Sequence, residues 1–239
     1  MAQEAIGLIE TKGIVAAVSG FLAQNDASIV ESNQFNDATS DLFFMRTVFR
    51  QHGPDMPEPE RLREGFKVIA EQFGMTWQLH DDAVKPNLLI MVSKWGHCLY
   101  DLLHRWKAGL LPVDIPAVVS NHEDMRSFVE WNGIPFHHLP VARDDEAAKA
   151  AQEARLLELV GELRIDLVVL ARYMQVLSAQ TCDVLTGRCI NIHHSFLPSF
   201  QGARPYHQAH ERGVKIIGAT AHYVTSDLDE GPIIEQGVE

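Results

Sequence analysis

Cysteine is scarce in this chain. Its 239 residues hold three, Cys98, Cys182 and Cys189, and no two stand at C-x-x-C spacing. That argues against a disulfide framework and fits reduced thiols in a cytoplasmic protein. Basic residues are outnumbered, 20 Lys and Arg against 32 Asp and Glu, for a net charge of -12. A nucleic-acid partner is therefore not expected, because phosphate neutralisation needs Lys and Arg. An anionic small molecule held by a local basic patch stays open. Long apolar runs are missing too. None reaches the roughly 18–20 residues that span a bilayer. The opening MAQEAIGLIETKG has no basic segment followed by an apolar one, so neither a secretory signal nor a membrane partner is expected. Repeats and low-complexity tracts are absent. With 46% apolar and 22% charged residues, the chain reads as a soluble globular protein of one large or two smaller domains.

What is present divides at the polar segment DDAVKPN (81–87), with domains expected at 1–82 and 83–239. Before it, GIVAAVSGFLAQND (13–26) has helical apolar spacing. ASIVESNQF (27–35) and DLFFMRTVF (41–49) read as strands. PEPERLREGFKVIAEQFG (57–74) is an amphipathic helix with Pro near its start and Gly at its end, and MTWQLHD is a strand. With a short strand at Ala5–Ile9, the order is the ferredoxin-like βαββαβ pattern. After the boundary, the short apolar strands LLIMVS, IPAVVS, PFHHLPV, DLVVLA, CINIH and IIGATAHYV appear, most of them separated by helical segments. That is an α/β reading: a Rossmann-like, mostly parallel sheet covered on both faces.

Ligands of open α/β sheets bind at the carboxyl ends of the strands. Asn191, His193, Asp229, the YMQVLS segment after DLVVLA, and Ser120-Asn121 are all expected at such ends. Asn191 and His193 are two residues apart, which in a strand puts both side chains on one face. An amide, an imidazole and a carboxylate together suit acyl chemistry. Each alone has a plain structural reading, as a strand cap or a turn residue.

The runs NIHHSFLPSFQGARPY and GATAHYVTSDLDEGPII resemble the signature of the folate-dependent formyltransferase superfamily, and within it the branch that deformylates 10-formyltetrahydrofolate. The resemblance covers residues 87–239. The segment KGIVAAVSGFLAQNDASIVESNQFND resembles an ACT domain, a small module often used for amino-acid sensing. The resemblance implies a catalytic trio of Asn191, His193 and Asp229. It implies a folate-binding loop of Tyr173, Met174, Gln175, Val176 and Leu177, faced by Val224, Thr225, Ser226, Asp227 and Leu228. The substrate would be 10-formyltetrahydrofolate, split to formate and tetrahydrofolate for one-carbon and purine metabolism, with no tightly bound cofactor. The ACT-like domain would take an amino-acid effector and pair with copies of itself, so a homo-oligomer is expected.

The acceptor decides between hydrolase and transferase. A phosphorylated amine would need a Gly-rich cradle after the first strand of the sheet. Here that loop reads VSKWGHC, with Gly96 its only glycine and Lys94, Trp95 and His97 filling it. Water is therefore the expected acceptor, and Lys94 and His97 are candidate substrate contacts. His222, on the strand leading to Asp229, is another. Twelve histidines invite a metal reading, yet no HExxH is present and none is expected to hold an ion. Arg204, Tyr206 and Lys215 could meet the glutamyl tail of a folate, although solvated surface is the plainer reading of each. Two departures from the family bear on these expectations. The usual Cys-Pro-Asp turn after the first ACT strand is replaced by residues Glu10 to Lys12, and the family's further helical segment does not follow Glu239. Without that segment one side of the sheet would be uncovered, at about 25 cal/mol per Å² of apolar surface, and stability is expected to fall. Formyl transfer to a small amine, or a non-catalytic sensor, are the alternatives.

Overall fold

The computed structural model describes residues 2–9, 12–141, 145–199 and 205–238. The chain divides into two compact units, Met1–Val84 and Lys85–Glu239.

The first unit runs β1 (Ala2–Ile9), α1 (Ile14–Gln24), β2 (Ala27–Asp37), β3 (Leu42–Gln51), α2 (Pro59–Phe73) and β4 (Thr76–His80). β1 begins three residues earlier than the sequence pattern suggests. The four strands form an antiparallel sheet in the order β2-β3-β1-β4. Both helices carry apolar residues four apart: Ile14, Val18 and Leu22 on α1, and Leu62, Phe66 and Ala70 on α2. Those rows lie on one helix face and are buried with Met45, Phe49 and Leu79 of the sheet. Pro59 opens α2, and Gly74 closes it at φ 64°, a left-handed conformation that costs glycine little. Glu10 and Thr11, which replace the family's turn, lie outside the described residues.

The second unit runs β5 (Asn87–Val92), α3 (His97–Lys107), β6 (Asp114–Ser120), α4 (Arg126–Trp131), β7 (Phe136–His138), α5 (Glu146–Glu162), β8 (Leu167–Leu170), α6 (Ala179–Val184), β9 (Cys189–His193), α7 (Pro205–Glu211), β10 (Gly218–Tyr223) and β11 (Ile233–Val238). Its sheet has the order β11-β10-β9-β8-β5-β6-β7. The strands from β5 to β9 are mutually parallel. Alternation along β5 explains the two covered faces. Leu89 and Met91 pack with Leu156, Leu159 and Val160 of α5. Leu88, Ile90 and Val92 pack with Leu99 and Leu103 of α3 and Val129 of α4. The fold is α/β with a mostly parallel central sheet, as the sequence pattern implies.

β10 runs antiparallel to β9, and β11 antiparallel to β10. Strand direction was not visible in the apolar run of β10. The exposed edge strand β11 and the short helices α6 and α7 were not anticipated at all. Among the described residues, no helix is long and apolar enough to cross a membrane.

Candidate active site

Strand β9 forms the centre of the site. Asn191 stands level with Leu170, the last residue of β8, so His193 extends past the end of that strand. Across the antiparallel pair, His222 faces Asn191 and Thr220 faces His193. Side chains directly opposite one another share a face. Asn191 Nδ2 accordingly lies 3.2 Å from His222 Nε2. His222 Nδ1 is 2.9 Å from the carbonyl of Tyr223, which can only accept. Nδ1 therefore carries the proton, and in the neutral ring Nε2 accepts from the Asn191 amide.

Asp229 reaches this cluster by a route that corrects the sequence expectation. Because β10 is antiparallel, its carboxyl end lies beside the amino end of β9, away from the carboxyl ends of the parallel strands. The loop after it folds back. Val224 N donates to the carbonyl of Cys189 at 2.8 Å, and Tyr223 N to that of Pro232 at 2.9 Å. Gly231 is needed for that return, since a Cβ there would stand 1.7 Å from Tyr223 O. Asp229 itself sits at φ 57°, a region Asp tolerates better than most residues. Its Oδ1 lies 3.3 Å from His193 Nδ1 and 3.7 Å from His222 Nε2. The side chains of His193 and Asp229 are 5% and 6% exposed, so their attraction is only weakly screened by water. With Nδ1 directed at the carboxylate, Nε2 of His193 is the nitrogen placed to give or take a proton elsewhere.

These groups line a cavity of about 620 Å³, within the range typical of small-molecule sites. Its walls include Tyr173, Met174, Gln175, Val176 and Leu177 on one side, and Val224, Thr225, Ser226, Asp227 and Leu228 on the other, with Asn191, His193, His222 and Asp229 between. Lys94 and His97 are not among the lining residues. Lys94 is exposed, with Nζ 5.9 Å from the Trp95 ring. His97 opens α3 and approaches Arg172 Nη1 at 3.5 Å, so it touches a wall residue instead of forming the wall. Ser120 is buried and does not line the cavity. Asn121 Oδ1 accepts from Ser93 Oγ, which in turn accepts from Met174 N at 3.1 Å and so steadies the loop. Tyr206 lines the cavity with its ring against His194 and remains exposed to solvent. Lys215 is exposed and away from the wall, and Arg204 lies outside the described residues.

Sequence reasoning missed Arg172, His194, His207 and Cys182, which also line the cavity. Arg172 has the more unusual geometry. It adopts φ 59° two residues after the end of β8, and its buried Nε has no partner. Burial, aided by the Arg172 guanidinium, holds His97 below the usual histidine range. Burial, then His193 and Arg172, does the same to His194. The Tyr173 phenol is pushed up to about 12 by burial. Only the position of Arg172 directly after the DLVVLA strand could have flagged it. Among the described residues no group of three or more His, Cys, Asp or Glu side chains is placed to hold a metal ion.

A mostly parallel sheet, with a half-buried Asn beside a buried His and Asp, frames the class. Residues 86–238 match the formyl transferase family, and the chain belongs to that family. Within it, the similarity is to deformylases. A formyltetrahydrofolate deformylase of Corynebacterium sp. (strain P-1) is 54% identical over 227 residues, 95% of this chain and 78% of that one. The crystal structure of a formyltetrahydrofolate deformylase from Pseudomonas syringae superposes with a TM-score of 0.92 at 48% identity, covering 100% of this chain and 78% of that one. The corresponding structure from Burkholderia mallei gives 0.89 at 51% identity, covering 100% and 83%.

Proposed function

We propose that this chain hydrolyses 10-formyltetrahydrofolate to formate and tetrahydrofolate, with Asn191, His193 and Asp229 as its catalytic groups. The observation that carries the reading is the buried Asp229 carboxylate, 3.3 Å from His193 Nδ1, both lining a cavity of ligand size. The relatives named formyltetrahydrofolate deformylase support the substrate.

The chemistry follows from the groups. Water adds to the formyl carbon, and the carbonyl oxygen becomes an oxyanion. The Asn191 amide can donate to that oxyanion, an interaction stronger in the transition state than in the ground state. Asp229 orients the water and stabilises His193 as an imidazolium. His193 Nε2 takes one proton from the water as it attacks and returns it to N10 as the C–N bond breaks, and the formic acid released ionises to formate. The loops 173–177 and 224–228 would hold the pterin, largely through backbone groups. No tightly bound cofactor enters this sequence of steps.

The first unit is read as an ACT-type regulatory module that takes an amino acid and pairs with copies of itself. Its βαββαβ order and its resemblance to ACT sequences support this. Cytoplasmic placement is favoured by three unpaired cysteines.

The test is formate release from 10-formyltetrahydrofolate by purified protein with no amine present. Steady release by wild type and none by His193→Ala is the expected result. Formate-free turnover that yields a formylated amine only when an amine is added would replace hydrolysis with transfer.

A further inference from the structure

Helix α5 buries two polar side chains in succession. Gln152 is 8% exposed and Glu153 is 4% exposed. A buried carboxylate is costly unless its oxygens are satisfied, and a leucine there would add apolar contact at no such cost. Among the described residues, the cation within salt-bridge reach, Lys149 Nζ, is 3.9 Å away. Hydrogen bonds from Ser178, at the end of one loop, and from Thr181 in the first turn of α6 satisfy Glu153 instead. Ser178 N donates to its two oxygens at 3.0 and 3.3 Å, and Thr181 Oγ1 donates at 2.5 Å. The Ser178 hydroxyl donates to the same carboxylate. Gln152 Nε2 donates to the Tyr173 phenol oxygen at 3.1 Å.

Tyr173 and Ser178 bound the segment that forms one wall of the cavity. Between them Met174 and Val176 are more than half exposed, whereas Tyr173 and Leu177 are buried. The loop is thus gripped at both ends by adjacent residues of one helix, and its middle faces the cavity. Neither Gln152 nor Glu153 lines the cavity itself.

We propose that Gln152 and Glu153 are positioning residues, a two-point clamp that fixes the 173–178 loop in its ligand-binding shape and so sets substrate affinity. The substrate part rests on the folate reading above. The geometry of the clamp does not.

The experiment compares wild type with Glu153→Gln, Glu153→Ala and Gln152→Leu. Glu153→Gln keeps the side-chain volume, which protects against misfolding, but turns one acceptor oxygen into a donor facing Ser178. Two readouts are taken. Amide hydrogen exchange by mass spectrometry follows residues 173–178 against β5 and β9. Steady-state kinetics follow formate release. Loss of charged hydrogen bonds of this kind corresponds to about tenfold or more in an equilibrium. We expect protection in 173–178 to fall about tenfold or more while β5 and β9 stay unchanged. KM should rise by about tenfold and kcat stay within about threefold, because Asn191, His193 and Asp229 lie on other elements. Uniform loss of protection across the unit would overturn the clamp. So would unchanged exchange in the loop, or a kcat loss with KM unchanged. If wild type releases no formate, the folate reading fails, and the exchange data still decide whether the clamp exists.

Discussion

Replacing Asp229 with Asn removes a charge and little else. Asn is nearly isosteric with Asp and also tolerates the left-handed conformation that position 229 requires, φ 57°. The loop should therefore keep its course. What changes is the partner of His193 Nδ1, 3.3 Å away and almost fully buried. An amide cannot stabilise an imidazolium as a carboxylate does, and it cannot orient an attacking water by accepting with two oxygens. Asp-to-Asn replacement beside a catalytic histidine costs about 10⁴ in kcat in the serine-protease triad. Loss of one oxyanion donor costs about 10²–10³. Asp229 serves the histidine and the water together, so we expect kcat to fall about 10³–10⁴-fold, roughly 4–5.5 kcal/mol of barrier. KM should change little, since the loops that hold the folate are untouched. The assay is formate release under saturating substrate, with the thermal midpoint as a folding control. For a chain of this size 1 kcal/mol moves the midpoint by about 2–4 °C, and we expect a change no larger than that. A folded Asp229→Asn protein within tenfold of wild-type kcat would refute the assignment.

Two further outcomes are expected. Gly231→Ala places a Cβ where Tyr223 O already stands, at 1.7 Å, so the returning loop must shift and carry Asp229 with it. Misplacement of a reacting group by about 1 Å can cost 10²-fold. Formate release should fall by at least about that factor, and retention of full activity would show that the loop tolerates the change. The thiols supply a separate check. Burial pushes Cys189 up to about 12 and raises Cys182 and Cys98 above the usual thiol range, so at pH 8 all three remain protonated in the fold. Because the thiolate is the reactive form, Ellman's reagent should label the native protein slowly and all three cysteines rapidly in guanidinium. Fast labelling of two or more in the native protein would contradict the burial.

Much of the second unit was legible because its signals are local. The alternation Leu88 to Val92 fixes two buried faces, and the two-residue spacing of Asn191 and His193 fixes a shared one. The loop residues 173–177 and 224–228 were legible through resemblance, not pattern. Strand direction was not legible, because a short apolar run reads alike in parallel and antiparallel pairing. Lys94 and His97 looked like site residues because their loop follows the first strand. In the structure α3 begins at His97, which approaches Arg172 of the cavity wall at 3.5 Å without lining the cavity itself. Glu153 was hidden for the opposite reason. In AAKAAQEARLLEL a glutamate reads as a solvated face, and only the tertiary arrangement shows it beneath a loop.

Antiparallel β10 changes what the site can be. Had β10 run parallel to β9, Asp229 would have followed it at the carboxyl ends of the strands, on an ordinary crossover loop. Instead the loop is tied at its start by Val224 N to Cys189 O and near its end by Pro232 O to Tyr223 N. Both ends are thus pinned to strands, and the carboxylate between them is held by rigid neighbours. The facing loop is pinned in its own way, through Ser93, Gln152 and Glu153. A catalytic group must be held within about 0.5 Å of its productive position. Two loops tethered to strands and a helix meet that demand more readily than free loops would. The left-handed residues Arg172 and Asp229 lie where the two loops turn, so part of the strain the backbone carries falls at the cavity, while Asp26, Asp41 and Arg164 carry theirs elsewhere.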